Sequence, residues 1–178
     1  LDEIAYALAV WTTLSPEHLD FHGSYAAYRD AKARLVRRAP HAVLNRDEED
    51  FAFFAAEARA VTSYGADPRA DWRLLETRPG SGRLELVVGS PDGRERSATL
   101  GMVGGYNAGN ALAALAAAAL ERLDPDAAVE RLAGFPGVPG RMEMIRAEPF
   151  AVIVDFAHTA PALARALDAT EPRSGRRI

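Results

Sequence analysis

The alanine-rich stretch at residues 107–123, "NAGNALAALAAAALERL", constrains the fold of this chain more than any other feature. Alanine is the strongest helix former, so the stretch is predicted to be helical. Its side chains are small, which favours close packing of the helix against a sheet or a neighbouring helix. A second helix is predicted directly after it, at residues 125–133.

The first part of the chain alternates between apolar runs and segments with helical periodicity. Strands are predicted at residues 4–13, 41–45 and 61–65, with helices at 24–38 and 47–60 between them. The first apolar run suits a strand buried on both faces, as in a parallel sheet. Ser24 is predicted to cap the helix that follows it, and acidic residues are expected in the first turn of the next helix. This alternation indicates βαβ units.

The alternation of apolar runs and helical segments ends near Trp72. Residues 83–89, "RLELVVG", and 94–100, "RERSATL", flank a turn-forming cluster at residues 90–93. Two such runs joined by turn residues predict an antiparallel hairpin. The predicted fold class is therefore α/β, with a mainly parallel sheet, flanking helices and an antiparallel hairpin.

A glycine- and proline-rich segment at residues 134–141, "GFPGVPGR", has the composition of a hinge. We therefore predict a first domain at residues 1–137 and the beginning of a second at 138–178. Two strands and a helix capped by Thr159 are predicted beyond the hinge. The sequence opens without an initiator Met and stops just after a new apolar position, so we expect it to be a fragment of a longer protein.

Composition excludes several classes of function. The formal net charge of −4 and the acidic pI of about 5.6 provide no broad basic surface, so nucleic acid is not an expected partner. No apolar run is long enough to cross a bilayer and no signal-like segment is present, which predicts a cytoplasmic protein without a membrane partner. The absence of cysteine excludes disulfides, thiolate nucleophiles and cysteine-bound metals. Any metal must be held by oxygen or imidazole ligands.

The loop at residues 15–23 carries four polar groups directly after the first predicted strand: Glu17, His18, Asp20 and His22. Ligands of open α/β sheets collect outside the carboxyl ends of the strands, which makes this loop a candidate site. The alternative is that these side chains are solvated or cap helices, and for each one taken singly that alternative is favoured.

Lys32 is predicted to share a helix stripe with Tyr25, Tyr28 and Leu35, at separations of three and four residues. On spacing alone, the better interpretation is that its stem packs while its ammonium reaches water. The sharper alternative is a partly desolvated amine with a lowered pKa. Such an amine can add carbon dioxide, and the resulting carbamate is an anionic oxygen ligand for a hard metal ion.

Three further places could carry chemistry. Asp155 ends an apolar strand and is followed by His158, so it could accept hydrogen bonds from a ribose or could simply cap the helix. Asn107 and Asn110 start the alanine-rich helix, where an amide can read a nucleobase edge or cap the helix. Arg141 in the hinge could reach a phosphate when two domains close, or could be an ordinary surface arginine.

These segments occur in the order seen in a known family. "LSPEHLDFHG" followed by "YRDAKARL", then "VLNRDEE", "SYG", "GGYNAGNALAA", "VPGRME" and "VDFAHTAPAL", resemble the motifs of the Mur ligases of peptidoglycan synthesis, and the MurE type most closely. The resemblance covers nearly the whole chain. It implies the later part of the central ATPase domain at residues 1–137 and the start of a Rossmann-like C-terminal domain at 138–178.

The resemblance also implies roles for the candidate residues. It implies magnesium ligands and catalytic groups at His18 and at a carbamylated Lys32, and ATP-binding groups at Asn107 and Asn110 (adenine), Arg141 (phosphates), Asp155 (ribose) and His158. The implied activity is that of an ATP-dependent acid–amino-acid ligase. It phosphorylates the carboxylate of a UDP-N-acetylmuramoyl-peptide, and a free amino acid then attacks the acyl phosphate to form an amide.

Two alternatives remain open from the sequence. One is a degenerate Mur-like protein that binds nucleotide or a partner without ligating. The other is the related folylpolyglutamate or cyanophycin synthetase group, against which the segments "HLDFHG" and "VPGRME" argue. The sequence contains no phosphate loop ending in Gly-Lys-Ser/Thr, so this chain is expected to be inactive alone.

Overall fold

The computed structural model describes residues 4–15, 19–80 and 82–170. The predicted alternation of helices and strands is confirmed. The strands are β1 (Ala9–Trp11), β2 (Ala42–Asn45), β3 (Val61–Gly65), β4 (Trp72–Gly80), β5 (Arg83–Gly89), β6 (Glu95–Leu100), β7 (Glu143–Arg146) and β8 (Val152–Val154). The helices are α1 (Leu19–His22), α2 (Tyr25–Arg38), α3 (Phe51–Glu57), α4 (Tyr106–Leu120), α5 (Pro125–Ala133) and α6 (Ala160–Asp168).

The main sheet has the strand order β1-β2-β3-β4-β5-β6. The pairings from β1 to β4 are parallel, whereas β4 with β5 and β5 with β6 are antiparallel. The predicted mainly parallel sheet and the hairpin of β5 and β6 are both confirmed. β4 was not predicted, because its sequence "WRLLETRPG" has no regular apolar alternation and most of its residues are exposed. Backbone pairing with β5 along most of its length defines it instead.

Two apolar clusters cover the two faces of the sheet. Val43 and Leu44 are neighbours in β2 and both are fully buried, yet they belong to different clusters. Side chains alternate between the faces of a strand, so β2 contributes one residue to each core. One cluster includes residues of α4 and α5, and the other includes residues of α2 and α3. The sheet is therefore the middle layer of three.

The predicted helices on both sides of the sheet are confirmed with well-defined ends. The hydroxyl oxygen of Ser24 accepts a hydrogen bond from the backbone N–H of Ala27 at 3.1 Å, which caps α2 as predicted. In α4, the small residues Ala108, Ala111, Ala113 and Ala116 are buried in the same cluster as the sheet. Alanine thus lets α4 lie close to the strands, as the composition predicts.

Two details of the prediction were wrong. The first strand is shorter than residues 4–13. Val10 is 41% exposed, so within the described residues β1 is covered on one face only. The acidic residues 47–50 precede α3 instead of occupying its first turn. Asp47 is used elsewhere, since its carboxylate accepts two backbone hydrogen bonds from the loop after β3.

The part beyond residue 137 consists of the antiparallel pair β7–β8 and the helix α6, whose N-cap is the predicted Thr159. The domain boundary and the Rossmann-like character of this part stay predictions. Among the described residues, no helix combines the length and the apolar character that crossing a membrane requires.

Close packing of α4 can be tested with two matched substitutions. Ala111→Leu adds bulk at a site that is 4% exposed, and we expect it to lower the free energy of unfolding by about 1 to 3 kcal/mol through overpacking. Ala114→Leu makes the same change on the exposed face of α4, where about 0.5 kcal/mol or less is expected. Urea unfolding of both variants provides the measurement, and equal effects would contradict close packing.

Candidate functional site

The carboxyl ends of the parallel strands are tied together by two polar side chains of the "NRDEE" segment. The amide nitrogen of Asn45 donates to the carbonyl of Thr12 at 2.9 Å, and its amide oxygen accepts from the backbone N–H of Asp47 at 3.1 Å. The Asp47 carboxylate accepts from the backbone N–H groups of Ala66 and Asp67, at 2.7 and 2.8 Å. These bonds link β1, β2 and the loop after β3.

Gly65 in the "SYG" segment is required by this arrangement. It has a φ of +146°, and a Cβ at this position would lie 2.6 Å from Oδ1 of Asp47. A side chain would therefore be strained and would displace the carboxylate. Two motifs that lie far apart in the sequence thus pack directly against each other.

A second tie joins α2 to the segment before α3. The Tyr25 hydroxyl donates a short hydrogen bond to Oδ2 of Asp50, and Nη1 of Arg29 donates to Oδ1 at 2.7 Å. Burial alone would raise the pKa of Asp50, but the hydrogen bonds from Tyr25 and Arg29 outweigh it, so the pKa lies below its usual range. Burial and the bond to Asp50 raise the pKa of Tyr25 to about 12. The tie fixes the first turns of α2, the helix that carries Lys32.

Lys32 shares the predicted stripe of α2 with the buried residue Tyr28, but its own side chain is exposed. This agrees with the interpretation in which the ammonium group of Lys32 reaches water, and not with a buried amine. The Lys32 ammonium nitrogen lies 5.3 Å from the centre of the Tyr28 ring, and the ring of His22 lies 5.0 Å from the same ring. Lys32 therefore stands beside the predicted loop on the solvent side.

The described residues do not fit a metal site by themselves. No group of three or more His, Asp or Glu side chains in residues 4–15, 19–80 and 82–170 could hold a metal ion. His18 lies outside the described residues, as does Glu17. An ammonium group offers no lone pair, so Lys32 could act as a ligand only after chemical modification. The roles of His18 and Lys32 in metal binding stay predictions.

Asn107 and Asn110 lie together at the start of α4. Asn107 is buried, its amide nitrogen donates to the carbonyl of Val103 at 2.7 Å, and its amide oxygen accepts from Asn110 at 3.0 Å. Both ends of the Asn107 amide are thus engaged within the protein, and the helix is anchored by them. Asn110 is exposed and is the better placed of the two to meet a ligand.

Arg141, Asp155 and His158 are brought together at the end of the glycine- and proline-rich segment, which was predicted to be a hinge. The two oxygens of Asp155 accept from the backbone N–H groups of Met142 and Ala157, each at 2.8 Å. The Arg141 guanidinium lies 5.2 Å from the centre of the Phe156 ring, and the ring of His158 is 5.0 Å from it. The "VPGRME" and "VDFAHT" motifs therefore form one cluster.

Sequence reasoning missed two aromatic residues of this region. Phe156 is the surface against which Arg141 and His158 both lie. Tyr106 starts α4, and its ring occupies the space where a Cβ of Gly104 would be, at 2.9 Å. The sequence could have indicated these two residues only by their position, since each is the direct neighbour of a predicted site residue.

Comparison with known proteins gives a consistent result. The Mur ligase middle domain family matches residues 1–118. The chain is 44% identical, over 92% of its length, to a UDP-N-acetylmuramyl-tripeptide synthetase of Deinococcus radiodurans. It is 38% identical, over 95% of its length, to a UDP-N-acetylmuramoyl-L-alanyl-D-glutamate–2,6-diaminopimelate ligase of Streptomyces coelicolor. It spans 34% and 35% of these relatives, or about a third of their length.

The fold has close counterparts among solved structures. A MurF structure from Acinetobacter baumannii superposes with a TM-score of 0.81 at 22% identity, covering 91% of this chain and 36% of that one. At this identity the likeness establishes the fold alone.

The contact between Asp47 and Gly65 predicts a position-specific effect of an added methyl group. Gly65→Ala is expected to lower the free energy of unfolding by about 2 to 4 kcal/mol, through backbone strain and the clash with the carboxylate. Gly105→Ala is the control, because its φ is −56° and a Cβ there meets open space. The double variant Asp47→Ala/Gly65→Ala should lose less stability than the sum of the single changes, and strict additivity in chemical denaturation would argue against the contact.

The Tyr25–Asp50–Arg29 tie predicts a pH-dependent contribution to stability. The lowered pKa of Asp50 means that its stabilisation is present above the unfolded-state pKa near 3.8 and is lost as the pH falls through the folded-state value. Asp50→Asn should therefore cost about 1 to 2 kcal/mol at neutral pH, and the difference should shrink in acid. Urea titrations at several pH values measure this, with Glu49→Gln at the exposed neighbouring carboxylate as control. A pH-independent difference would count against the ionic tie.

Proposed function

The chain belongs to the Mur ligase family, and from this premise we propose that it is the nucleotide-side portion of an ATP-dependent acid–amino-acid ligase of peptidoglycan precursor synthesis. The observation that carries the proposal is the assembly of separate motifs at the hinge, where Arg141, Asp155 and His158 form one cluster. Because the chain spans about a third of its relatives' length, the activity is proposed for the whole ligase and not for this chain alone.

The proposed substrates follow from the names of the relatives. Both relatives are named as enzymes that act on UDP-N-acetylmuramoyl or UDP-N-acetylmuramyl peptides. We propose the same class of acceptor here, together with ATP and a free amino acid, and a cytoplasmic place of action. The terminal phosphoryl group of ATP is transferred to the carboxylate of the peptide, which releases ADP. The amino group then attacks the acyl carbon, phosphate leaves, and the nitrogen loses a proton to give the amide.

The residues of this chain are proposed to bind and orient ATP. A guanidinium at Arg141 suits phosphate oxygens, the carboxylate of Asp155 suits a ribose hydroxyl, and the exposed amide of Asn110 suits a nucleobase edge. Asn107 supports Asn110 through their mutual hydrogen bond, and His158 lies beside Arg141 across the Phe156 ring. Magnesium at His18 and Lys32 is retained as part of the proposal, and when bound it would neutralise charge on the phosphates.

Lys32 has one property that supports a chemical role. It is the only lysine in the sequence, whereas the other 20 of the 21 Lys and Arg side chains are arginines. Arginine stays protonated and cannot form a carbamate, whereas an exposed lysine amine can react with carbon dioxide. A chain that uses arginine elsewhere but lysine at this position is consistent with carbamate chemistry there.

The carbamate can be observed directly by carbon NMR of the complete ligase. With ¹³C-labelled bicarbonate, we expect a carbamate signal from Lys32. That signal should be absent in Lys32→Arg, which keeps the charge, and its loss separates Lys32 from the other amines of the complete enzyme. Persistence of the signal in that variant would exclude Lys32 as its source.

Ligation by the complete enzyme should depend on the same residue. Lys32→Ala is expected to reduce amide formation by about 100-fold or more, because an oxygen ligand is lost. Carbon dioxide donors should not restore activity, whereas a short carboxylate such as formate should restore part of it. Coupled measurement of ADP release and amide formation tests this, and full activity of Lys32→Ala would rule out the carbamate role.

A nucleotide-binding protein without ligase activity is the second candidate. It is favoured by the internal use of both ends of the Asn107 amide and by the lack of an assembled metal-ligand group in the described part of the chain. The two functions differ in one measurement. A ligase forms ADP only when the peptide carboxylate is present and forms amide in equal amount, whereas the alternative binds ATP and forms neither.

A further inference from the structure

Arg141 is held on both sides by two consecutive residues of a distant segment. The carbonyl of Gly140, which precedes Arg141, accepts from the backbone N–H of Phe156 at 2.8 Å. The N–H of Met142, which follows Arg141, donates to Oδ2 of Asp155 at 2.8 Å. The backbone of Arg141 is therefore fixed from both directions.

The backbone conformation of Met142, between Arg141 and β7, is an unfavourable one. Its φ is +48°, and its side chain is only 4% exposed. A residue with a Cβ adopts this left-handed conformation only when its surroundings hold it there. The Asp155 carboxylate stabilises this conformation by accepting the Met142 N–H, and its second oxygen accepts a hydrogen bond from the N–H of Ala157. One carboxylate thus bridges the hinge and the loop before α6.

The Arg141 side chain is held by the same segment. Its guanidinium lies over the ring of Phe156, which is 62% exposed, at 5.2 Å from the ring centre. A cation over an aromatic face is attracted by the ring's electron density.

We propose that Asp155 and Phe156 form a latch that positions Arg141. Asp155 sets the backbone direction through Met142, Phe156 fixes the Gly140 carbonyl, and the Phe156 ring orients the guanidinium. Both are positioning residues in this role, and for Asp155 the role is additional to the ribose contact proposed above. The significance of the latch for phosphate binding rests on the proposed function, whereas its existence does not.

The latch also lies close to the start of α4. Burial, followed by the charge of Asp155, raises the pKa of Tyr106, whereas Arg165 and Arg141 act in the opposite direction. Asp155 and Arg141 are therefore close enough to Tyr106, the first residue of α4, to act on its hydroxyl.

The ring contact can be tested by NMR on the 178-residue chain. The Hε proton of Arg141 should be shifted by the ring current of Phe156, and the signal is assigned with Arg141→Lys. Phe156→Leu should remove most of the shift, whereas Phe150→Leu should leave it unchanged. Phe150 is a matched control because it is also 62% exposed. An unchanged Arg141 signal in Phe156→Leu would overturn the proposal.

The backbone contact between Met142 and Asp155 is tested with a second variant. In Asp155→Ala, the Met142 amide should exchange its hydrogen about tenfold faster or more, and the Arg141 ring-current shift should fall at the same time. Asp168→Ala, an exposed carboxylate of α6, is the control. If Asp155→Ala does not fold, both signals are read in Asp155→Asn, which keeps one acceptor oxygen. Faster exchange at Met142 with an unchanged Arg141 signal would show that Asp155 does not position Arg141.

The functional consequence is measured separately in the complete ligase. Phe156→Leu should raise the KM for ATP about threefold to tenfold with a smaller change in kcat, because Arg141 would no longer be preorganised. Phe150→Leu should change neither. If Phe156→Leu removes the ring-current shift of Arg141 but does not change the KM for ATP, the phosphate role of Arg141 is rejected and the latch is retained. If Phe156→Leu leaves the shift unchanged, the latch is rejected and the proposed ligase activity is unaffected.

Discussion

The close contact between α4 and the sheet is the constraint on which the remaining structure depends. Ala108 and Ala116 have no exposed surface, and larger side chains at such positions would push the helix away from the strands. Because the helix is fixed along its length, its first turn is also fixed. Asn107 therefore has a definite position, and it holds Asn110 through the hydrogen bond between the two amides.

The motifs that identify the family have a structural basis that is largely independent of chemistry. Asp47 occupies the space that a Cβ of Gly65 would need, and Asp155 holds the backbone of Met142. In both cases a carboxylate accepts two backbone N–H groups and joins segments that lie far apart in sequence. Buried or turn-forming N–H groups need such acceptors, so carboxylates at these places stabilise loops that end strands. A motif residue can thus serve the fold and a ligand at once.

The candidate site has two parts with different character. At the hinge, side chains and backbone are mutually fixed, and Arg141 already lies over an aromatic ring. The other part comprises the loop after β1 and Lys32 on α2. Lys32 is exposed there, and the described residues form no group of metal ligands. The hinge part is therefore preorganised by this chain, whereas the Lys32 part would need a chemical modification and ligands beyond the described residues.

The sequence by itself determined the α/β class, the cap of α2 by Ser24, the helix at α4 and the hairpin of β5 and β6. These features follow from local propensity and period, which act over a few residues. Tertiary structure decided what local patterns cannot encode. It left the Lys32 ammonium exposed beside the Tyr28 ring, paired the polar segment of β4 with β5, and placed the Arg141 guanidinium over the Phe156 ring. Each of these depends on which surface meets which, and contacts between distant segments settle that only when the chain is folded.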